Sequence, residues 1–119
     1  MVAHRWREDH QKADWRVLDP GDGNSIDTRY SGVCEIVTAD AETRTLPDPT
    51  YLGQKLTIHM QTDEGDCVIT ASTAINQTGN NTITLGAVDD LIVLESVEVS
   101  SGTYKWRVTG NDGAALSTV

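Results

Sequence analysis

The feature of the sequence that most constrains its fold is a series of short β-branched runs beginning after Ser31. Val, Ile and Thr together supply 33 of the 119 residues, and these side chains favour strands over helices. The runs cover residues 33–38, 56–61, 67–71, 82–85, 91–99 and 104–108. Short polar segments separate them, a pattern that predicts an all-β domain, a small antiparallel β-sandwich or barrel.

The segments between the runs indicate how the strands are connected. Residues 62–66 and 100–103 are short, polar and Gly-containing, which is typical of hairpin turns and favours an antiparallel meander. Residues 39–49 contain prolines at positions 47 and 49, and proline is poorly tolerated inside a sheet. We therefore expect this segment to be a rigid crossing loop and not a central strand.

The run Leu91, Ile92, Val93 and Leu94 is apolar at every position, so a strand here would be apolar on both of its faces. One face would pack in the core of the domain, and the other would need cover from elsewhere. These four residues are therefore predicted to mediate self-association.

The N-terminal part of the chain differs from the rest, and we divide the chain into residues 1–30, an arm and hinge, and residues 31–119, the β-domain. Trp6, Ala13 and Val17 have a spacing compatible with a short helix or a docked arm. Six of the nine residues 19–27 are Gly, Asp or Asn, which is typical of a hinge.

Two tryptophans, Trp6 and Trp15, lie in this arm, where Val17 and Leu18 add further apolar side chains. Large apolar rings without a core of their own predict insertion into a partner's pocket, although packing on the parent domain is an open alternative. The third tryptophan, Trp106, is expected in the core or rim of the domain.

Composition excludes several classes of partner. The net charge of -9, with 18 acidic residues against nine basic ones, argues against nucleic-acid binding. The start of the chain has no apolar signal core, and no window is long enough for a membrane span, so we expect a cytoplasmic protein without a membrane partner. Cys34 and Cys67 fit two buried reduced thiols, and a single disulfide is the alternative.

No catalytic or cofactor motif emerges from the sequence, and we expect neither an enzyme nor a cofactor. Nucleophilic catalysis needs a base near Ser or Cys, and the histidines His4, His10 and His59 lie in the arm or on the polar side of a strand. The acidic segments 19–27 and 63–66 lack EF-hand spacing. No metal ligands are assigned, although calcium binding by these segments stays open.

Several short motifs resemble a small β-module of tailed-bacteriophage virion proteins, found in head-decoration (cement) proteins and in fibre or spike segments. They are TLPDP at 45–49, LGQKLTI at 52–58, NTITL at 81–85, DDLIVL at 89–94 and YKWRV at 104–108. The resemblance implies a non-enzymatic virion component on the capsid exterior, commonly a homotrimer, that stabilises contacts among major capsid protein subunits after assembly in the host cytoplasm. It assigns no functional residues.

The absence of a fixed repeat or a long heptad segment favours a compact decoration protein over a fibre shaft. One alternative is a receptor- or carbohydrate-binding module of a tail fibre or spike, with Trp106 or Tyr104 stacking on sugar. A small hydrolase is a third.

Overall fold

The computed structural model describes residues 15–119. Within this range the chain forms an all-β sandwich without helices. The strands are β1 (Arg16–Val17), β2 (Asn24–Ser25), β3 (Gly32–Val37), β4 (Glu42–Leu46), β5 (Lys55–Thr62), β6 (Cys67–Ala71), β7 (Thr82–Leu85), β8 (Leu91–Ser100), β9 (Thr103–Asp112) and β10 (Ala115–Ser117).

The strands form two five-stranded sheets, and the predicted all-β sandwich is confirmed. Sheet I has the order β1-β3-β5-β8-β9, and sheet II has the order β10-β7-β6-β4-β2. The sheets are open at their edges, so the fold is a sandwich and not a closed barrel. Both sheets are mixed and not purely antiparallel, because β3 pairs in parallel with β1 and β5, and β4 pairs in parallel with β2 and β6.

The parallel pairs arise because the chain alternates between the sheets from β3 to β6. Each connection crosses the sandwich, so β3 and β5 meet side by side in sheet I while β4 and β6 meet in sheet II. The prediction of a hairpin at residues 62–66 is therefore wrong: this segment connects β5 of sheet I to β6 of sheet II. The predicted hairpin at 100–103 is confirmed, with β8 and β9 antiparallel around Gly102 at φ 76°.

The segment predicted to be a crossing loop contains a strand, β4, that lies inside sheet II between β6 and β2. The prolines at 47 and 49 follow this strand and do not interrupt it. Arg44 and Leu46 point into the sandwich, whereas Thr43 and Thr45 are exposed. An arginine on the core side conceals the alternation that would otherwise have identified β4.

Residues 16–30, which we expected to be arm and hinge, contribute to the sandwich. They form β1 and β2, and Val17 and Ile26 are buried in the core. Gly32 permits the close approach of β1, because a Cβ at this position would lie 2.3 Å from the carbonyl oxygen of Trp15. The remainder of the proposed arm, including the helical spacing of Trp6 and Ala13, lies outside the described residues.

The core between the sheets consists mainly of Ile and Leu, as expected for a chain without Phe. Trp106 is 1% exposed, and its indole Nε1 donates a hydrogen bond of 2.8 Å to the Pro47 carbonyl oxygen. This bond satisfies the polar atom that burial would otherwise leave unpaired. The expected core position of Trp106 is confirmed.

Candidate interaction surfaces

Large apolar side chains are exposed along one edge of the sandwich. Trp15 and Leu18 are 72% and 73% exposed, and Tyr30 and Tyr51 are also open to solvent. These four residues line a single groove of about 500 Å³. We call them the aromatic surface. Exposed apolar side chains that converge on one groove are typical of binding sites, whereas isolated ones are ordinary on any protein.

The loops that carry the two tyrosines are held together by Gln54, whose side chain is fully buried. Its Nε2 donates to the carbonyl oxygens of Thr28 and Tyr30 at 2.7 and 3.1 Å, while its Oε1 accepts from the Thr50 amide at 2.9 Å. Ser31 Oγ and the Tyr51 hydroxyl are also hydrogen-bonded, at 2.7 Å. The loops of Tyr30 and Tyr51 are therefore fixed relative to each other, which lowers the entropy cost of binding at this part of the surface.

Polar groups lie beside the aromatic rings. The Asp27 carboxylate lines the groove and forms an ion pair of 2.9 Å with Arg29, whose guanidinium stacks over the Tyr30 ring at 5.4 Å from its centroid. The hydrogen bond from Arg29 holds the pKa of Asp27 below its usual value. Trp, Tyr and Arg are the residue types enriched at the energetic centres of protein interfaces.

The structure separates the residues predicted for capsid docking. Trp15 and Leu18 are exposed and belong to the aromatic surface. Val17 is 5% exposed and packs in the core, because β1 alternates and turns this side chain toward sheet II. Val17 therefore lines the floor of the groove and exposes little area for a partner to contact. Trp6 lies outside the described residues.

The four residues predicted for self-association also separate. Ile92 and Leu94 are fully buried in the core, whereas Leu91 and Val93 are half-buried on the outer face of sheet I, directed away from sheet II. Strand alternation explains the division. Only Leu91 and Val93 can contribute to a contact with a second copy.

Val93 lies in a row across the outer face of sheet I that is uncharged from β3 to β9. The register aligns Val33, Thr57, Val93 and Gly110 on these strands, and on β1 the row ends at Arg16, opposite Val33. Because Gly110 has no side chain, it leaves one flank of Val93 uncovered. One neighbouring row contains Lys55, Glu95 and Arg107, and the other contains Glu35, His59 and Leu91. An apolar row between charged rows matches the core-and-rim arrangement of many protein interfaces.

His59 on this face contacts two carboxylates that the sequence did not connect to it. Its Nδ1 lies 2.7 Å from Glu35 Oε2, and its Nε2 lies 3.0 Å from Asp89 Oδ1. Hydrogen bonding to Glu35, reinforced by Asp89, raises the pKa of His59 above its usual value. Alternation correctly placed His59 on the solvent side of its strand. Its partners come from β3 and the loop before β8, and no local signal reveals such pairing.

A second charged cluster lies between the sheets, where the Arg44 guanidinium is fully buried. It donates from Nε to Asp19 Oδ1 at 2.7 Å and from Nη2 to Asp19 Oδ2 at 3.1 Å, and it pairs with Glu42 at 2.9 Å. Burial alone would raise the pKa of Asp19, but Arg44 and the amides of Val37 and Gly21 hold it below its usual value.

The two cysteines are free and buried, which confirms the expectation of reduced thiols. Burial raises the pKa of Cys34 to about 12 and that of Cys67 to about 11. A thiol with a pKa this high is not a nucleophile near neutral pH.

The structure also bears on metal binding by the acidic segments and on sugar stacking by Trp106. Within residues 15–119, no three His, Cys, Asp or Glu side chains are arranged to hold a metal ion. Asp22 instead accepts the Thr43 amide, and Asp63 accepts the Gly65 amide. Trp106 is buried and cannot stack on a sugar. No helix in this range is long and apolar enough to cross a bilayer.

No protein-family model matches the chain, and no curated protein is similar to it in sequence.

Proposed function

We propose that the chain is a non-catalytic decoration (cement) protein of a tailed-phage head, which binds the capsid exterior and stabilises contacts among major capsid protein subunits. The observation that carries this proposal is the aromatic surface: four exposed apolar side chains around one groove, two of them on loops that Gln54 holds together. A rigid apolar surface favours docking onto a preformed partner, because little conformational entropy is lost on binding. The motif resemblance to phage virion modules supplies the identity of that partner.

Self-association, with three copies as the expected number, has a separate basis. The uncharged row containing Val33 and Val93 offers apolar area on the outer face of sheet I, and the charged rows beside it carry both signs. Opposite charges at a rim can pair across a symmetric interface and fix its register. The aromatic surface adjoins this row at Trp15, which also lines shallow grooves with Val33 and Thr57. Leu18, Tyr30 and Tyr51 would be left for the capsid.

Capsid docking is tested with the double variant Trp15→Ala/Leu18→Ala. We expect its affinity for decoration-free capsids to fall at least about thirtyfold, since a central tryptophan commonly contributes about 2 kcal/mol or more to binding. Its melting temperature should stay close to that of the parent, because both side chains are exposed. Co-sedimentation with capsids and thermal unfolding measure the two quantities.

The matched control is Val88→Ala/Val99→Ala, which truncates two exposed apolar side chains elsewhere and should bind capsids normally. Unchanged capsid binding by Trp15→Ala/Leu18→Ala would contradict the docking surface. Light scattering of the purified parent tests the trimer, which a monomeric mass at high protein concentration would contradict.

A second candidate function, receptor or saccharide binding at a fibre or spike, is favoured by the same groove. Trp15, Tyr30 and Tyr51 offer three aromatic rings beside the Asp27 carboxylate and the Ser31 hydroxyl. Aromatic faces with a few convergent polar groups suit small ligands. Saccharide binding to immobilised protein, lost in Tyr30→Ala, together with absence of capsid binding, would favour this candidate over decoration.

A further inference from the structure

The Glu35–His59–Asp89 cluster places a carboxylate against each ring nitrogen of one histidine, at 2.7 and 3.0 Å. An ionised carboxylate only accepts hydrogen bonds. Neutral imidazole has one donor nitrogen, whereas imidazolium has two. Both contacts can therefore be hydrogen bonds at the same time only while His59 is protonated. The hydrogen bond to Glu35 raises the pKa of His59, which extends this state above the ordinary titration range.

The cluster connects three separate parts of the fold. Glu35 belongs to β3 and His59 to β5, whereas Asp89 lies in the turn formed by residues 86–90, which carries the chain from sheet II to sheet I. The turn is tied to β5 by two backbone bonds of 2.9 Å, from the Asp89 amide to the Met60 carbonyl and from the Met60 amide to the Asp90 carbonyl. The His59–Asp89 contact is a third tie, adjacent to the other two.

The backbone of this turn is held in an unfavourable conformation at Asp89. Its φ of 72° makes it the one non-glycine residue with positive φ among residues 15–119. A residue with a Cβ adopts this region only where neighbouring contacts compensate, although Asp tolerates it better than most. The compensating contacts include the side-chain bond to His59, so weakening that bond favours release of the turn.

The surrounding charges make proton loss more consequential. Most charged groups near His59 are acidic: Glu35 on β3, Asp89 and Asp90 in the turn, and Asp112 at the end of β9. Arg16 on β1 is opposite Val33, and Lys55 and Glu95 lie at the far end of the β5–β8 pairing. The residue opposite His59 on β8 is the uncharged Leu91. Deprotonation leaves Glu35 and Asp89 without the cation between them.

From this arrangement we infer that Glu35, His59 and Asp89 form a proton-controlled clamp on the turn at residues 86–90. The protonated ring holds the turn against β5. Loss of the proton removes one of the two hydrogen bonds and leaves a lone pair on Nε2 or Nδ1 facing a carboxylate. Asp89 is then free to leave its strained conformation.

The clamp also regulates self-association, a step that rests on the proposed function. His59 and Leu91 lie beside the uncharged row that contains Val93. Loss of the proton makes this part of the outer face more negative in a chain whose net charge is already -9. Like charges brought together across an interface oppose association, so we expect copies to separate as the pH rises through the titration of His59.

The clamp itself is tested by hydrogen exchange of the Asp89 and Met60 amides in the full chain, with the His59 titration followed by NMR of its ring nitrogens. After correction for intrinsic exchange rates, we expect the protection of both amides to fall severalfold as the pH rises and His59 loses its proton. His59→Gln should show reduced protection that does not vary over this range. Protection that stays constant while His59 titrates would overturn the clamp.

Matched acid variants separate the clamp from general charge effects. Asp89→Asn keeps a residue that tolerates positive φ but removes the charge, and it should lower the pKa of His59. Glu98→Gln removes one exposed charge near the β8–β9 hairpin, keeps an acceptor for the Gly102 amide, and should leave the His59 titration unchanged. An Asp89→Asn variant with the parental His59 titration would also count against the clamp.

The effect of the clamp on self-association is measured separately, by sedimentation velocity across the same pH range. A shift toward monomer along the His59 titration, absent in His59→Gln, supports regulation of self-association. A monomer at every pH would contradict the proposed trimer, while the amide exchange would still decide whether the clamp exists. Association that does not vary with pH in the parent would reject the regulatory step alone.

Discussion

Two regions of the molecule each contain one cation between two carboxylates, and they differ mainly in burial. Arg44 lies between Asp19 and Glu42 with no exposed side-chain area, whereas His59 lies between Glu35 and Asp89 with 23% of its side chain exposed. Arginine keeps its charge at any pH that a protein survives, but histidine titrates near neutrality. The cation of the first cluster therefore keeps its charge, whereas the cation of the second can lose its charge near neutral pH.

The buried cluster should give the largest effect on stability. Arg44→Met leaves Asp19 and Glu42, which are only 16% and 13% exposed, without their cation. Removing one partner of a buried ion pair typically costs about 3–5 kcal/mol. We expect a loss of this size in the free energy of unfolding, measured by urea denaturation.

The triple variant Asp19→Asn/Glu42→Gln/Arg44→Met sharpens this result. It removes all three charges and keeps one side-chain oxygen at each acidic position, which can accept the amide that Glu42 binds and one of the two amides that Asp19 binds. It should be more stable than Arg44→Met alone, since no uncompensated charge is left inside. If the triple variant were the less stable of the two, the explanation by buried charge would be wrong.

The same cluster predicts sensitivity to acid, with a smaller effect. Because the pKa of Asp19 in the folded protein lies below its unfolded value, its contribution is complete above the unfolded pKa and disappears as the pH falls through the folded one. Allowing for solvent screening, we expect about 1–2 kcal/mol from this group. In the acid range, the free energy of unfolding of Asp19→Asn should therefore depend less on pH than that of the parent. We call this range the acid limb of the stability curve.

A second aspartate paired with arginine supplies the control for this experiment. Asp27 forms its ion pair with Arg29 at the surface, where the arginine side chain is 72% exposed. Asp27→Asn should leave the acid limb nearly unchanged, because exposed pairs contribute little. Equal flattening by Asp19→Asn and Asp27→Asn would show that burial is not the deciding difference.

The sequence predicted the local features of both regions but not their pairing. Runs of β-branched residues located β3 and β5 to β9 to within a few residues, because each strand has its own alternation. β4 was missed because Arg44 takes a core position within a polar segment. Glu42 lies on the same strand as Arg44, but Asp19 is 25 residues away from Arg44, and Glu35 is 24 residues away from His59. Such contacts depend on the crossing of the chain between sheets, which no local pattern encodes.

The interaction surfaces show the same limit. Trp15 and Leu18 were predicted from their apolar character near the N-terminal segment. Tyr30 and Tyr51 complete the groove, but no local pattern in the sequence connects them to Trp15 and Leu18. The Gln54 side chain that joins their loops is buried, and its amide could only have been recognised as structural once Thr28 and Thr50 were known to lie beside it.

The smallest effect is expected at the exposed cluster, in the opposite pH direction. Hydrogen bonding raises the folded pKa of His59 above the unfolded value, so its stabilisation is complete below the unfolded pKa and is lost as the pH rises through the folded one. After screening, this amounts to about 0.5–1 kcal/mol. The free energy of unfolding of the parent, measured by urea denaturation, should therefore fall by this amount relative to that of His59→Gln as the pH rises from below the unfolded pKa of His59 to above the folded one. Parallel curves would mean that His59 behaves like the surface pair of Asp27 and Arg29, and that only burial, as at Arg44, makes such a cluster energetically significant in this fold.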